Sequence, residues 1–307
     1  MRVADIVEEI LEYLKKEVGD NIAISAMSGG VDSTTATLLA RKALGNKVVP
    51  IFVDTGLLPE GEIEHIKALS RDLNLSIKIV DASDEFFSAL KGITDPERKR
   101  KVIGETFIRV FERVASEYGA KCLIQGTIAP DWIESRGGIK SHHNVGGLPK
   151  NIHLKIVEPL RDFYKDEVRE IARFIGVPDY VINKKPIPGP ALAVRVLGEV
   201  TREKVEIVRR ATKIVEEEIS NARIDFWQAF AVLLPIKTVG VRGDIRAYEW
   251  TIAIRVVNST DGMTANFSKL PWEILERISS RITSEIPYVG RVLYDITNKP
   301  PATIEFE

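Results

Sequence analysis

Apolar residues recur three and four positions apart at Val3, Ile6, Val7, Ile10, Leu11, Leu14 and Val18, predicting an amphipathic helix over 3–18 that Gly19 stops. The period then changes. Residues 22–26 are short and β-prone, 48–53 form a nearly continuous apolar run, and 77–80 and 121–125 read as a third and a fourth strand. Runs apolar on both faces mark buried, parallel strands. Helical spacing fills the intervals over 34–44, 62–73 and 96–118. Strands alternating with helices predict an α/β fold, a doubly wound and mostly parallel sheet with ligands at the carboxyl ends of its strands. A further helix over 164–175 carries Val168, Ile171, Ala172 and Ile175 on one face and ends at Gly176 and Pro178.

Between these elements, residues 126–150 contain two Gly-Gly pairs and little periodicity, which predicts a lid over a site. The proline-rich stretch at 184–190 predicts a boundary, with a first domain over 1–186 and a second over 187–307. Beyond it the pattern predicts helices at 201–219 and 271–285, β-like runs at 226–234 and 248–257, and short strands near 291–296 and 303–306. Strands here neighbour strands, so the second domain is expected to be a smaller α+β unit with an antiparallel sheet.

Composition bounds the function. The chain has 307 residues, 44% apolar and 28% charged, with a formal net charge of −1, enough for about two domains with cores of their own. Near-neutral charge gives no general drive toward nucleic acid or membrane. With no apolar run near the length of a span and no signal-peptide core, a cytoplasmic protein is expected. The one cysteine, Cys122, lies in an apolar run and reads as a buried thiol.

The chemistry concentrates at Ser28-Gly29-Gly30-Val31-Asp32-Ser33, after the first predicted strand and before a helix. Adjacent glycines let backbone approach a ligand closely, and the first N–H groups of a helix point outward without acceptors. That arrangement suits a phosphate. Hydroxyls of Ser28 and Ser33 can donate to phosphate oxygens, whereas Asp32 would repel them, so its presence points to a bridging Mg²⁺. The plain alternative is an ordinary capped βα turn. The lysine of a GxxxxGK[ST] loop is missing, which argues against a γ-phosphate kinase or GTPase. Four consecutive cations at 98–101 read either as a solvated helix face or as a second phosphate site. On the expected lid, Asp131, Glu134, Arg136, Lys140, His142 and His143 are the chemical members. Adjacent histidines point apart in an extended chain, which argues against zinc.

The hexad resembles the PP-loop of the ATP pyrophosphatase family, whose members adenylate a carbonyl-type oxygen and release pyrophosphate. Six strings resemble the GMP synthases within it: 28–33 (SGGVDS), 95–104 (DPERKRKVIG), 125–135 (QGTIAPDWIES), 139–149 (IKSHHNVGGLP), 188–199 (PGPALAVRVLGE) and 299–307 (KPPATIEFE). One departure is Ala191, where that family commonly has glycine. The chain lacks a region like the amidotransferase of fused forms, so it is similar to the separate ATP-pyrophosphatase subunit of two-subunit GMP synthases. The resemblance implies adenylation of XMP by ATP with Mg²⁺, then amination by ammonia from a separate partner, a glutamine amidotransferase. It implies ATP contacts at Ser28 to Ser33, Val53, Leu58 and Gly126, metal binding by Asp32, and catalytic roles for Asp131, Glu134 and Lys140. It assigns XMP to Arg100, Gln228, Arg291, Lys299, Thr303, Ile304 and Glu305, and implies a homodimer through the second domain. Rival readings are another PP-loop ligase such as an NAD synthetase, a non-catalytic nucleotide sensor, and an RNA-modifying enzyme. The last predicts paired cysteines and a basic face, which the sequence lacks.

Overall fold

The computed structural model describes residues 2–131, 154–259 and 262–307. These divide into two compact units, Met1–Gly56 with Gly61–Ala89 and Arg100–Gly189, and Leu57–Glu60 with Leu90–Lys99 and Pro190–Glu307.

The first unit is built on β1 (Ala23–Ala26), β2 (Val48–Asp54), β3 (Lys78–Asp81), β4 (Cys122–Ile124) and β5 (Lys155–Val157). They pair in parallel in the order β3-β2-β1-β4-β5. The chain therefore steps outward from β1 to β3 and then returns to the other side of β1. Ligands of open α/β sheets bind outside the carboxyl ends of the strands flanking such a reversal. Here those strands are β1 and β4.

The helices of this part of the chain are α1 (Val3–Val18), α2 (Val31–Leu44), α3 (Glu62–Asp72), α4 (Ser83–Leu90), α5 (Pro96–Tyr118), α6 (Lys165–Ile175) and the single turn α7 (Asp179–Ile182), with the last residue of α4 and the first four of α5 belonging to the second unit. In α1 the buried residues are Val7, Ile10, Leu14 and Val18, the stripe that the spacing predicts. Each such side chain contributes about 1.5–3 kcal/mol by leaving water. α1, α2 and α6 pack against one another. Ser25 and Thr37, both buried, share a hydroxyl hydrogen bond of 2.7 Å that ties β1 to α2. Cys122 is buried, and burial pushes its thiol up from the ordinary value. Three elements, β5, α4 and the single turn α7, lie where the sequence pattern predicts none.

The second unit contains α8 (Arg202–Asn221), α9 (Trp272–Glu285), β6 (Gln228–Arg242), β7 (Ile245–Asn258), β8 (Asn266–Phe267) and β9 (Val289–Tyr294). β6 and β7 form a long antiparallel hairpin of 15- and 14-residue strands, several residues longer on each side than the predicted runs because its outer half is exposed and carries no burial signal. β8 pairs antiparallel with β7, but β9 pairs parallel to it, so the sheet is mixed where an antiparallel one is expected. The expected strand at 303–306 is absent: these residues form no ladder and are held by side chains instead. Among the described residues no helix is long and apolar enough to cross a membrane.

Candidate active site

β1 delivers the chain to Ser28, and α2 starts at Val31, three residues earlier than its apolar spacing suggests. Gly30 caps it in extended backbone, φ −86°, and the Thr34 N–H donates to the Gly30 carbonyl at 3.1 Å. The first-turn N–H groups thus belong to Val31, Asp32 and Ser33. Ser33 Oγ accepts from the Ser28 N–H at 3.1 Å and lies 3.0 Å from Ser28 Oγ, so both hydroxyls gather at one end of the helix. Together these groups form a compact cradle of donors.

The neighbours fix that cradle. Gly29 has φ +76°, a conformation that calls for glycine, and a Cβ there would also stand 2.8 Å from Ile66 Cδ1 and push that side chain aside. The carbonyl of Gly29 meets His65 Nε2 at 2.8 Å. Since a carbonyl only accepts, the ring proton sits on Nε2. Tyr180 packs edge-on against His65 and donates its hydroxyl to Asp72 at 2.7 Å. Burial, and then this hydrogen bond, push its pKa up to about 12. On the opposite side Gly126 follows β4, and a Cβ there would come within 2.6 Å of Ser33 N and 2.7 Å of Ser33 Cα. Backbone from β4 therefore rests directly on the first turn of α2.

Charge is placed at the same spot. Lys165, the first residue of α6, donates to Asp32 Oδ2 at 2.6 Å. Asp32 Oδ1, Thr34 Oγ1 and Gln125 Oε1 are buried without a hydrogen-bond partner. Unpartnered buried oxygens cost free energy unless something binds them. Asp131 accepts the Ile128 N–H on Oδ2 at 3.0 Å. Val53 is buried in β2, beside β1. Leu58 belongs to the second unit, where its carbonyl accepts from Arg209 Nε at 2.9 Å. Glu134 and Lys140 lie outside the described residues, as do Arg136, His142, His143 and most of the expected lid.

The second unit carries the other predicted residues. Gln228 opens β6 opposite Val257, while Arg291 in β9 lies opposite Thr251. Those partners are six positions apart on one face of β7, roughly 20 Å along the strand, so the fold does not bring Gln228 and Arg291 together within one chain. Arg291 donates to Thr238 Oγ1 at 3.1 Å, and Lys299 Nζ to the Gly262 carbonyl at 2.7 Å. Glu305 accepts two bonds from Arg195, of 3.0 and 2.7 Å. Thr303 and Ile304 are held through their carbonyls by Arg255. Arg100, in α5, belongs to the first unit.

A family model described as "GMP synthase C terminal domain" matches residues 215–306, and one described as "Thiamine biosynthesis protein (ThiI)" matches 19–196. The B-type subunit of "GMP synthase [glutamine-hydrolyzing]" from Pyrococcus abyssi is 65% identical over 302 residues, 98% of each chain. The protein of the same name from Archaeoglobus fulgidus is 57% identical over the whole of both chains. The chain belongs to this family of GMP synthase subunits. The "GMP synthase [glutamine-hydrolyzing]" of Aeropyrum pernix, 56% identical, takes in all of this chain, which spans 61% of that protein. The solved "NMN synthetase from Francisella tularensis" shares the fold, at a TM-score of 0.51 and 17% identity over 63% of this chain and 79% of that one.

Two residues at the family's loop escape a reading of the sequence alone. Lys165 carries a cation at the first position of a helix, against the dipole, and that mismatch is the available signal. His65 offers none, because its contact with Gly29 spans 36 positions of chain. Of the four cations at 98–101, Lys99 fits neither predicted reading. It is fully buried and ion-paired to Glu307 at 2.5 Å.

Proposed function

We infer that the chain is the synthetase subunit that converts XMP, ATP and ammonia into GMP, AMP and pyrophosphate, with ammonia supplied by a separate glutamine amidotransferase subunit. The observation that carries this reading is the donor cradle of Ser28, Ser33 and the first turn of α2, closed over by Gly126 and flanked by the Asp32–Lys165 pair.

ATP lies with its β- and γ-phosphates in the cradle. The C2 oxygen of XMP attacks the α-phosphorus, the new O–P bond forms, and the bond to the β-phosphate bridging oxygen breaks, its electron pair leaving with pyrophosphate. The N–H groups of α2 and the two serine hydroxyls meet the charge that develops on the leaving group, the largest part of such catalysis. Lys165 supplies a cation at the same place. Ammonia then attacks C2, loses a proton and expels AMP.

Mg²⁺ fits here. A buried, unpartnered oxygen, Asp32 Oδ1, stands beside the phosphate cradle, and Mg²⁺ is commonly held by one or two carboxylates plus phosphate oxygens. When bound, the ion neutralises phosphate charge and helps orient the leaving group. Among the described residues no group of three or more His, Cys, Asp and Glu could hold a metal by itself, so Asp32 would hold Mg²⁺ only together with oxygens of the nucleotide.

Asp131, Glu134 and Lys140 are assigned to orienting the purine, the metal and the phosphates as a lid over 126–150 closes and excludes water. Val53, Leu58 and Gly126 are assigned to the adenosine side. XMP is assigned to Arg100, Gln228, Arg291, Lys299, Thr303, Ile304 and Glu305. Arg195 uses two of the acceptor sites of Glu305, leaving the others for a ligand. The domains proposed are 1–186 for ATP and 187–307 for XMP and for pairing two copies of the chain. The exposed apolar face of the hairpin, with Val239, Val241 and Tyr248, supports a homodimer. We place the reaction in the cytoplasm.

Purified protein given ATP, Mg²⁺, XMP and ammonium should release pyrophosphate and GMP in equal amounts. A Ser28→Ala, Asp32→Ala double variant should not. Absence of XMP-dependent turnover, both with ammonium and with a glutaminase partner, would refute the reading.

A further inference from the structure

The last residues of the chain are built unlike the rest of the second unit. Residues 300–307 make no strand pairing, yet three cations, each at least nine-tenths buried, converge on the stretch. Arg255 is fully buried on the face of β7 between the partners of Gln228 and Arg291. It donates to the carbonyls of Thr303 at 2.9 Å, Ile304 at 3.3 Å and Thr297, and pairs with Asp295 at 3.0 Å. Arg195 grips the Glu305 carboxylate with two bonds while its guanidinium stacks on the Phe230 ring, 3.9 Å from the centroid. Lys99, in the first turn of α5, donates to the Val196 carbonyl at 2.7 Å and to Glu307 Oε2 at 2.5 Å.

A segment without a ladder has its backbone carbonyls to satisfy, and buried cations do that at a high desolvation cost. Apolar packing would hold a terminus more cheaply. Charge-assisted bonds differ from packing in being directional, so they fix where each carbonyl and side chain of the segment points.

We propose that Lys99, Arg195 and Arg255 are positioning residues for XMP: they hold residues 297–307 in one geometry over the sheet before the nucleotide binds. The proposal rests on the reading that this segment binds XMP. The three cations come from α5, from the turn at 191–195 and from β7, so the segment is fixed from three elements at once. Loss of any one anchor leaves the chemistry at the PP-loop intact and costs XMP the work of ordering the segment.

The test uses Lys99→Met and, because a buried substitution can impair folding, Glu307→Gln, which keeps shape and removes the charge. Each is read by steady-state kinetics and by hydrogen exchange of peptides covering 297–307. Expected are a KM for XMP raised roughly ten- to hundredfold, the range for losing one charge-assisted bond, with kcat at saturating XMP and KM for ATP within about twofold. Faster exchange in the segment should accompany it. An unchanged KM for XMP in the folded variants overturns the proposal. So does an equal loss toward ATP and XMP, which marks a general structural role. Wild-type protein that does not saturate with XMP overturns the functional reading and this one together, and the wild-type control alone reports it.

Discussion

Gly126→Ala isolates the contact between β4 and the nucleotide loop. The residue has no left-handed φ, so alanine meets only a problem of space. Its Cβ would stand 2.6 Å from Ser33 N, 2.7 Å from Asp32 C and 2.7 Å from Ser33 Cα. All three are backbone atoms of the first turn of α2, and none can rotate away. Bringing the closest pair to an ordinary 3.4 Å contact opens the gap by about 0.8 Å. Overpacking of this kind costs about 1–3 kcal/mol, which for a chain of this size lowers the melting temperature by about 1.5–5 °C. Displacement near 1 Å at a reacting centre costs about a hundredfold in rate. The assay is XMP-dependent pyrophosphate release against ATP concentration, with kcat/KM for ATP expected to fall between ten- and a hundredfold. Gly104→Ala is the control: its Cβ meets nothing within 4 Å, and alanine within α5 gains up to about 1 kcal/mol. A Gly126→Ala enzyme within twofold of wild type would refute the claim that this close approach sets the loop.

Lys165→Met should lower kcat/KM for ATP about a hundredfold, as expected for a group that meets leaving-group charge. It should change the melting temperature little, because a half-exposed ion pair contributes under about 1 kcal/mol; a large drop in stability with normal kinetics would reverse the assignment. Ala191 is buried with φ +51°, a left-handed conformation that costs an alanine about 1–2 kcal/mol. Ala191→Gly should therefore stabilise the protein by about 0.5–1 kcal/mol after the greater freedom of unfolded glycine is subtracted, and a urea midpoint no higher than wild type would contradict it. Hydrogen bonds from Arg277 and then Arg281 hold the Glu218 carboxyl below the usual carboxylate range. A lowered folded value means the stabilisation is complete above the unfolded value of 4.5 and is lost as pH falls from there through the lower folded value. Glu218→Gln should unfold more readily at pH 7, by about 1–3 kcal/mol, with the gap to wild type closing below about pH 4. A constant gap down to pH 3 would contradict that.

The parallel sheet was legible because its central strands are apolar on both faces, as Ile51-Phe52-Val53 and Cys122-Leu123-Ile124 are. The loop was legible because strand, glycines and helix are contiguous. β5 was not, since Lys155 is exposed and Ile156 half-buried, so it lacks the wholly apolar run that marks the equally short β4. Nor was the outer hairpin, where Val239, Val241 and Tyr248 are exposed and alternate against no core. The strand expected at 303–306 was misleading in a physical way. Thr303 and Ile304 do have bonded carbonyls, but Arg255 takes the place of a neighbouring strand. His65 and Lys99 owe their roles to partners 36 and 208 positions away, and no local pattern encodes such distances.

The division of the chain bears on inheritance as well as on chemistry. The second unit takes Leu57–Glu60 and Leu90–Lys99 from within the first half of the sequence. These inserts are firmly held there: the Leu57 carbonyl accepts from Leu192 N at 2.9 Å, Glu60 pairs with Lys213, and Lys99 is sealed inside. A gene cut at residue 189 would leave both inserts stranded on the wrong fragment. Recombination between relatives that exchanges one unit must carry the two short inserts with it. The halves are therefore expected to descend as one cassette, with fusions and insertions confined to its ends and its surface loops.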